Sequence, residues 1–150
     1  MSLLIAALAA VPALAANPHF LSADTNGIQG DGDLTVNFRI AGLGNDIDTV
    51  RITLSGDATA VYACQNRGGN FPSDPKKQTR VADVIDAGTF PVKNGSVSGS
   101  LTLEPPESTR NCPGSQRPVL ASIEYENVTL RGGGDSVSLG DFGPRVFFNV

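Results

Sequence analysis

The chain has 150 residues, a formal net charge of −4, and 17 glycines and 10 prolines scattered between short apolar runs. An acidic balance disfavours nucleic-acid binding, because contacts to phosphates need a basic surface. The length suits one domain that buries its own core without the help of metals.

Residues 1–16 have the pattern of a secretory signal. The run from Leu3 to Leu14 is uncharged and rich in Ala and Leu, and it ends at a small-x-small site, Ala13-Leu14-Ala15. It is shorter than the roughly 20 apolar residues that span a bilayer. No Lys or Arg precedes the run, and a buried N-terminal strand or helix is the alternative. We expect cleavage of 1–16, a secreted extracellular protein without a membrane span, and one domain over 17–150.

After residue 16 the pattern predicts β-strands and no convincing helix. Apolar residues recur with a period of two, as in Leu34, Val36, Phe38 and Ile40, which places one strand face on a core. The predicted strands cover 19–28, 33–40, 49–55, 58–65, 80–92, 97–103, 119–130, 136–139 and 144–149.

Turn residues separate these runs. Lys93-Asn94-Gly95 predicts a hairpin, since Asn-Gly accepts the positive φ angles of a type I′ turn. Gly30-Asp31-Gly32 and Ser55-Gly56-Asp57 predict two further turns. A change in apolar phase after Asn127 predicts a β-bulge.

Short strands at this spacing predict an all-β fold, an immunoglobulin-like antiparallel β-sandwich of about seven to nine strands, with a jelly roll as the alternative. In an exported chain the even pair Cys64 and Cys112 is expected to form one disulfide. Bonded cysteines need Cα atoms within about 7 Å, so the segments 65–79 and 104–118 are expected side by side. If successive strands alternate in direction, 41–48 joins them; if 80–92 is a hairpin, that argument weakens.

The two long segments are the best candidates for a binding surface, because long loops in compact domains commonly carry function. They hold one aromatic residue and several cations around the expected disulfide. The alternative is a solvent loop with its aromatic ring tucked into the base. The candidate residues are Arg67, Phe71, Lys76, Lys77, Arg80, Arg110 and Arg117.

Four aspartates are weak candidates for calcium ligands, because they offer carboxylate oxygens in turns: Asp31, Asp33, Asp46 and Asp48. Neither segment matches a twelve-residue EF-hand loop, and Asp favours turns simply by bonding its own backbone. We expect neither a metal nor any other cofactor.

The sequons Asn94-Gly95-Ser96 and Asn127-Val128-Thr129 are glycosylation candidates in a host that glycosylates.

Signals for catalysis are weak. Glu124 and Glu126 should project from one strand face at a separation that a glycosidase could use, but charges on an outer face are ordinary. The chain has no Trp to line a sugar cleft, and only Tyr62 and Tyr125 could substitute. His19 is the single histidine, and no Gly-x-Ser-x-Gly elbow follows a strand. We expect a protein that is not an enzyme.

Several motifs give a resemblance to a known group. They are Asn17-Pro18-His19-Phe20, Ala41-Gly42-Leu43-Gly44, Tyr62-Ala63-Cys64 with Gly68-Gly69-Asn70 and Pro72, Gly88-Thr89-Phe90, Lys93-Asn94-Gly95, Gly99-Ser100-Leu101-Thr102-Leu103 with Pro105-Pro106, Cys112-Pro113, and Leu120-Ala121-Ser122-Ile123 with Tyr125 and Asn127-Val128. The chain resembles an uncharacterised family of small secreted β-sandwich proteins found in fungal and bacterial genomes. Because these motifs are turns, strand faces and the cysteine pair, the resemblance implies a sandwich and export but no activity.

These features favour a secreted, non-enzymatic binding or interaction protein, effector-like or associated with a cell surface, that acts through disulfide-linked loops. One alternative is a protein like a carbohydrate-binding module, with Tyr62, Phe71 or Tyr125 exposed and coplanar. The other is a hydrolase with a Glu124/Glu126 site. The expected partner is an extracellular protein or polysaccharide, and the expected state is a monomer.

Overall fold

The computed structural model describes residues 17–72 and 77–150, so the expected signal peptide lies outside the described residues. Within those ranges the regular elements are seven strands: β1 (His19–Ile28), β2 (Leu34–Ala41), β3 (Thr49–Gln65), β4 (Gln78–Pro91), β5 (Val97–Leu103), β6 (Arg117–Gly132) and β7 (Asp135–Val146). They form two antiparallel sheets, ordered β1-β2-β5 and β4-β3-β6-β7, and the prediction of an immunoglobulin-like sandwich is confirmed. In constant-type immunoglobulin domains the fourth strand pairs with the fifth, whereas here β4 pairs with β3.

The core lies between the two sheets and follows the period-two pattern. In β2 the side chains of Leu34, Val36, Phe38 and Ile40 are buried, and the residues between them face outward or are half-buried. The facing sheet supplies buried residues from β3 and β6, including Ile52, Leu54, Ala58, Ile123, Val128 and Leu130.

The predicted turn at Ser55-Gly56-Asp57 is wrong, because β3 continues from Thr49 to Gln65. Gly56 is buried there, and a Cβ atom would lie 3.2 Å from Leu103 Cδ1 and 3.3 Å from Val128 Cγ2. The glycine therefore serves close packing across the sandwich, and only a register shift against β6 marks the site. The predicted strands 136–139 and 144–149 likewise fall mostly within one strand, β7, which ends at Val146.

Because 49–65 is one strand and not two, every later strand runs opposite to the direction that the sequence predicted. The expected meeting of three segments at one end is therefore wrong for 41–48. That segment lies at the opposite end, where Leu43 N donates to Gly95 O at 3.0 Å. The segments 65–79 and 104–118 do meet, since Cys64 and Cys112 form a disulfide with their Cα atoms 5.5 Å apart.

Two other local predictions are confirmed. Asn94 and Gly95 have φ angles of 53° and 71°, and Lys93 and Ser96 exchange both backbone hydrogen bonds around them. Asn127 has a φ of 53°, and the pairing of β6 with β7 shifts register between Tyr125 and Val128, as a bulge requires.

Carboxylates tie together the edges of the two sheets. Phe20 N, on the edge strand β1, donates to Asp135 Oδ2 of β7 at 3.0 Å. On the other side, Thr102 N of β5 donates to Asp86 Oδ2 of β4 at 2.9 Å. Each bond satisfies an edge amide that would otherwise need water or another strand.

In the described part of the chain, no helix has the length and hydropathy needed to cross a membrane.

Candidate functional site

The Cys64–Cys112 disulfide connects the end of β3 to the loop before β6, and residues of these two segments line a surface cavity of about 560 Å³. Cys64 stands near the end of β3 and Cys112 in the loop before β6, so the bond holds the two chain segments at one end of the sandwich. We call this cavity the loop cavity; it is lined by Gln65, Asn66, Arg67, Gly69, Ser115 and Arg117.

Local hydrogen bonds fix the shape of residues 66–70, which form one wall of the loop cavity. Asn70 N donates to Asn66 Oδ1 at 2.9 Å, and Asn66 N donates to Asn70 O at 2.9 Å. Gly69 N donates to Asn66 O at 3.1 Å, and its φ of 78° is one that glycine adopts without strain. This wall is therefore a tight turn fixed by an asparagine side chain, ordered before any ligand arrives.

Arg67 and Arg117 bring positive charge to the loop cavity. Both are exposed, and Arg117 is held opposite Gln65 by the pairing of β3 with β6. Among the described residues that line the loop cavity, none is acidic. Each guanidinium offers five donors in a planar fork that matches a carboxylate or sulfate group.

Of the other predicted cations, those that the structure describes do not line the loop cavity. Lys77 Nζ donates to the carbonyl oxygen of Val150. Arg80 faces the interior side of β4 and is half-buried, and its Nε has no hydrogen-bond partner among the described residues. Arg110 is half-buried, and Lys76 lies outside the described residues.

The three candidate aromatic rings do not form a flat exposed platform. Phe71 is half-buried and meets Phe148 edge to face, with ring centroids 5.4 Å apart. The half-buried Tyr62 donates its hydroxyl to Pro106 O at 2.7 Å; burial and the neighbouring Glu107 raise its pKa. Tyr125 is fully buried. These positions give the carbohydrate-module hypothesis no stacking surface.

Glu124 and Glu126 lie on the outer face of β6, as expected. Glu124 is half-buried and Glu126 is exposed, and neither lines the loop cavity. The charge of Glu124 is the main reason that the pKa of Glu126 is raised, with burial second and Asp141 and Asp57 adding to it. An acidic pair on an open sheet face adds nothing specific to the hydrolase hypothesis.

The four calcium candidates are divided between the two ends of the sandwich. Asp33 N donates to Asp31 Oδ1 at 3.0 Å in the loop before β2, whereas Asp46 and Asp48 are exposed in the loop before β3. Burial and the charges of Asp31 and Glu104 raise the pKa of Asp33. In residues 17–72 and 77–150, no three metal-ligating side chains are grouped to hold an ion.

Both glycosylation candidates are exposed. Asn94 lies at the tip of the hairpin turn, and the Asn127 side-chain amide donates to Asp57 Oδ2 at 3.0 Å. Whether either is modified stays a prediction.

Sequence reasoning missed most of the residues that shape the site. Of the six that line the loop cavity it selected only the two arginines, and it overlooked Phe148, the contact of Phe71. The repeat of Asn at positions 66 and 70, flanking two glycines, was the available signal for an ordered turn.

No protein-family model, curated protein or solved structure matches this chain.

Proposed function

We propose that this chain is a secreted, non-enzymatic binding protein whose disulfide-joined loops recognise acidic groups on an extracellular protein or polysaccharide. The observation that carries the proposal is the loop cavity, with Arg67 and Arg117 in its lining and a disulfide beside it.

Preorganisation supports this choice. The cross-link and the Asn66–Asn70 turn hold the cavity walls before a ligand binds, so little chain entropy is lost on binding. Structural disulfides form mainly in proteins that pass through an oxidising compartment. The disulfide therefore agrees with the secretory-signal pattern of residues 1–16.

Charge chemistry defines the class of ligand. Two exposed arginines and several backbone and amide groups suit carboxylates or sulfates that keep part of their hydration. A neutral sugar would instead need an aromatic stacking face, which Tyr62, Phe71 and Tyr125 do not provide.

The test is a glycan array with neutral, carboxylated and sulfated members, together with pull-down from extracellular extracts, using the oxidised protein. We expect binding to anionic members, and the double variant R67A/R117A should bind at least about tenfold more weakly, because two charge-assisted contacts are lost.

The matched control is R39A/R51A, which removes the same charge from the opposite end of the sandwich, where these residues line other shallow depressions. Equal binding by R67A/R117A and the wild type would refute the proposal. A preference for neutral glycans would refute the assigned ligand class.

A further inference from the structure

The outer edge of β4 is a long strand edge without a partner strand. β4 runs for 14 residues, Gln78–Pro91, and terminates the four-stranded sheet. Among residues 17–72 and 77–150, no strand pairs with this edge. Such an edge presents a row of unused backbone donors and acceptors.

The alternation of hydrogen bonds between β3 and β4 shows which residues of β4 have unused backbone N–H and C=O groups. Val92 N donates to Asp48 O at 2.8 Å, and the pairing of β3 with β4 continues from there without a register shift. Since bonded and non-bonded pairs alternate in an antiparallel ladder, the even-numbered residues of β4 bond to β3. The N–H and C=O groups of Thr79, Val81, Asp83 and Ile85 therefore point toward the open edge.

Two of these odd-numbered residues, Val81 and Ile85, present apolar side chains on the outer face, with Asp83 between them. Val81 is 73% exposed and Ile85 is 69% exposed, the two most exposed large apolar residues among those described. Natural edge strands of this length are usually shortened, bulged or given lysines, because an apolar edge otherwise pairs with another chain.

A groove of about 520 Å³ lies beside this edge, on the side toward β5. It runs between residues 83–86 and residues 102–107, and Pro105 and Pro106 form part of its wall. Its lining includes the acidic residues Asp83, Asp86, Glu104 and Glu107, and among the described residues in the lining no cation balances them. Because the Asp83 carboxyl lies on the outer face and bonds Asp57, the charge on the groove side comes from Asp86, Glu104 and Glu107.

We propose that the β4 edge from Val81 to Ile85 binds an extended segment of a partner protein, in which apolar and basic side chains alternate, as an added antiparallel strand. Side chains of directly opposed residues share one face of a sheet. Those opposite Val81 and Ile85 meet apolar surface, and the alternate side chains point toward the acidic groove.

A second copy of this chain is the competing occupant of this edge. An antiparallel pair of β4 strands centred on Asp83 places Val81 opposite Ile85 and Arg80 opposite Asp86 of the other copy, but it also brings the two Asp83 carboxylates face to face at its centre. Like charges directly opposite each other destabilise a strand pair. The acidic groove selects a basic partner, and this surface is separate from the loop cavity, which selects an acidic one.

The test uses a seven-residue peptide of alternating lysine and valine as the probe, with amide hydrogen exchange of the oxidised protein as the readout. We expect peptide-dependent protection of the amides of Val81, Asp83 and Ile85, while the even-numbered amides, already bonded to β3, change little.

Two changes test the contacts separately. Methylating alternate backbone nitrogens of the peptide should abolish binding, because it removes the strand's donors without altering the protein. The variant E104Q/E107Q should bind about fivefold more weakly, since two exposed charge contacts are lost. The control D46N/D48N carries the same charge change at the opposite end of the sandwich and should bind like the wild type.

Protection of the odd-numbered amides that needs the unmethylated, basic peptide supports the proposal. Equal binding of the methylated peptide, equal binding of a glutamate–valine peptide, or no binding to the wild type would overturn it. Protection that rises with protein concentration in the absence of peptide would assign the edge to a second copy and also overturn the basic-partner assignment.

Discussion

Replacing Tyr125 by Phe tests how much a buried hydroxyl hydrogen bond stabilises the fold. Tyr125 is fully buried on β6, and its hydroxyl donates to Gly32 O at 2.7 Å and lies 3.4 Å from Leu103 O. The hydroxyl thus connects β6 to the loop between β1 and β2. Phenylalanine fills the same space but leaves buried carbonyl groups without this donor, at a cost of about 1–2 kcal/mol in the free energy of unfolding.

Urea unfolding with the disulfide intact measures this cost. With an m-value of roughly 2 kcal/mol per M, the midpoint should fall by about 0.5–1 M. Tyr62→Phe is the matched control, because the Tyr62 hydroxyl donates to Pro106 O from a half-buried position where water can replace it. If Tyr125→Phe changes the midpoint no more than Tyr62→Phe does, the reasoning about this buried hydroxyl is wrong.

The same residue predicts a dependence on alkaline pH. Burial, reinforced by the charges of Asp33 and Asp31, raises the pKa of the Tyr125 hydroxyl in the folded state above its ordinary value of about 10. Its contribution to stability is therefore complete below about pH 10 and is lost as the pH rises toward the folded-state pKa, because only the unfolded chain releases the proton. The stability of Tyr125→Phe should decline less steeply above pH 10, and parallel declines would contradict the burial argument.

Three further predictions concern the stability of the sandwich: the disulfide, the packing at Gly99 and the bulge at Asn127. Replacing both Cys64 and Cys112 by Ala should lower the free energy of unfolding by about 4 kcal/mol, because the bond closes a 48-residue separation; a loss under 1 kcal/mol in urea unfolding would contradict this. Gly99→Ala should cost about 1–3 kcal/mol, since its Cβ would come within 2.5 Å of the Phe90 ring. Gly30→Ala, which has open space, should change the melting temperature little, and equal shifts would refute the packing argument. Asn127→Ala should be about 1 kcal/mol less stable than Asn127→Gly, because glycine tolerates the φ of 53° at the bulge; equal stabilities would show that this angle is not strained.

The sandwich was accessible to sequence reasoning because burial on one strand face imposes a period of two. Leu34 to Ile40 show this pattern, and each of their alternate side chains is buried. The Asn94-Gly95 hairpin was equally accessible, since its backbone angles are set by local sterics.

Where the sequence interpretation failed, tertiary contacts had overridden local propensity. Ser55-Gly56-Asp57 resembles a turn, yet pairing of β3 on both sides and the packing of Gly56 against Leu103 and Val128 keep the strand continuous. That single error placed 41–48 at the wrong end, because it changed the direction of every later strand.

The candidate site was only partly accessible for a related reason. Composition singled out cations in the long segments but could not show which way each one points. Arg67 and Arg117 line one cavity, whereas Arg80 faces the interior side of β4 and Lys77 bonds Val150. Those directions depend on strand register and on the C-terminal segment, neither of which is encoded locally.

Amide hydrogen exchange of the oxidised protein, with and without a saturating anionic glycan selected on the array, tests the loop site most directly. We predict new protection at 65–69 and 115–117, absent from R67A/R117A. Protection centred on 41–48 and 93–96, at the far end of the sandwich, would contradict the assignment of binding to the disulfide-joined loops.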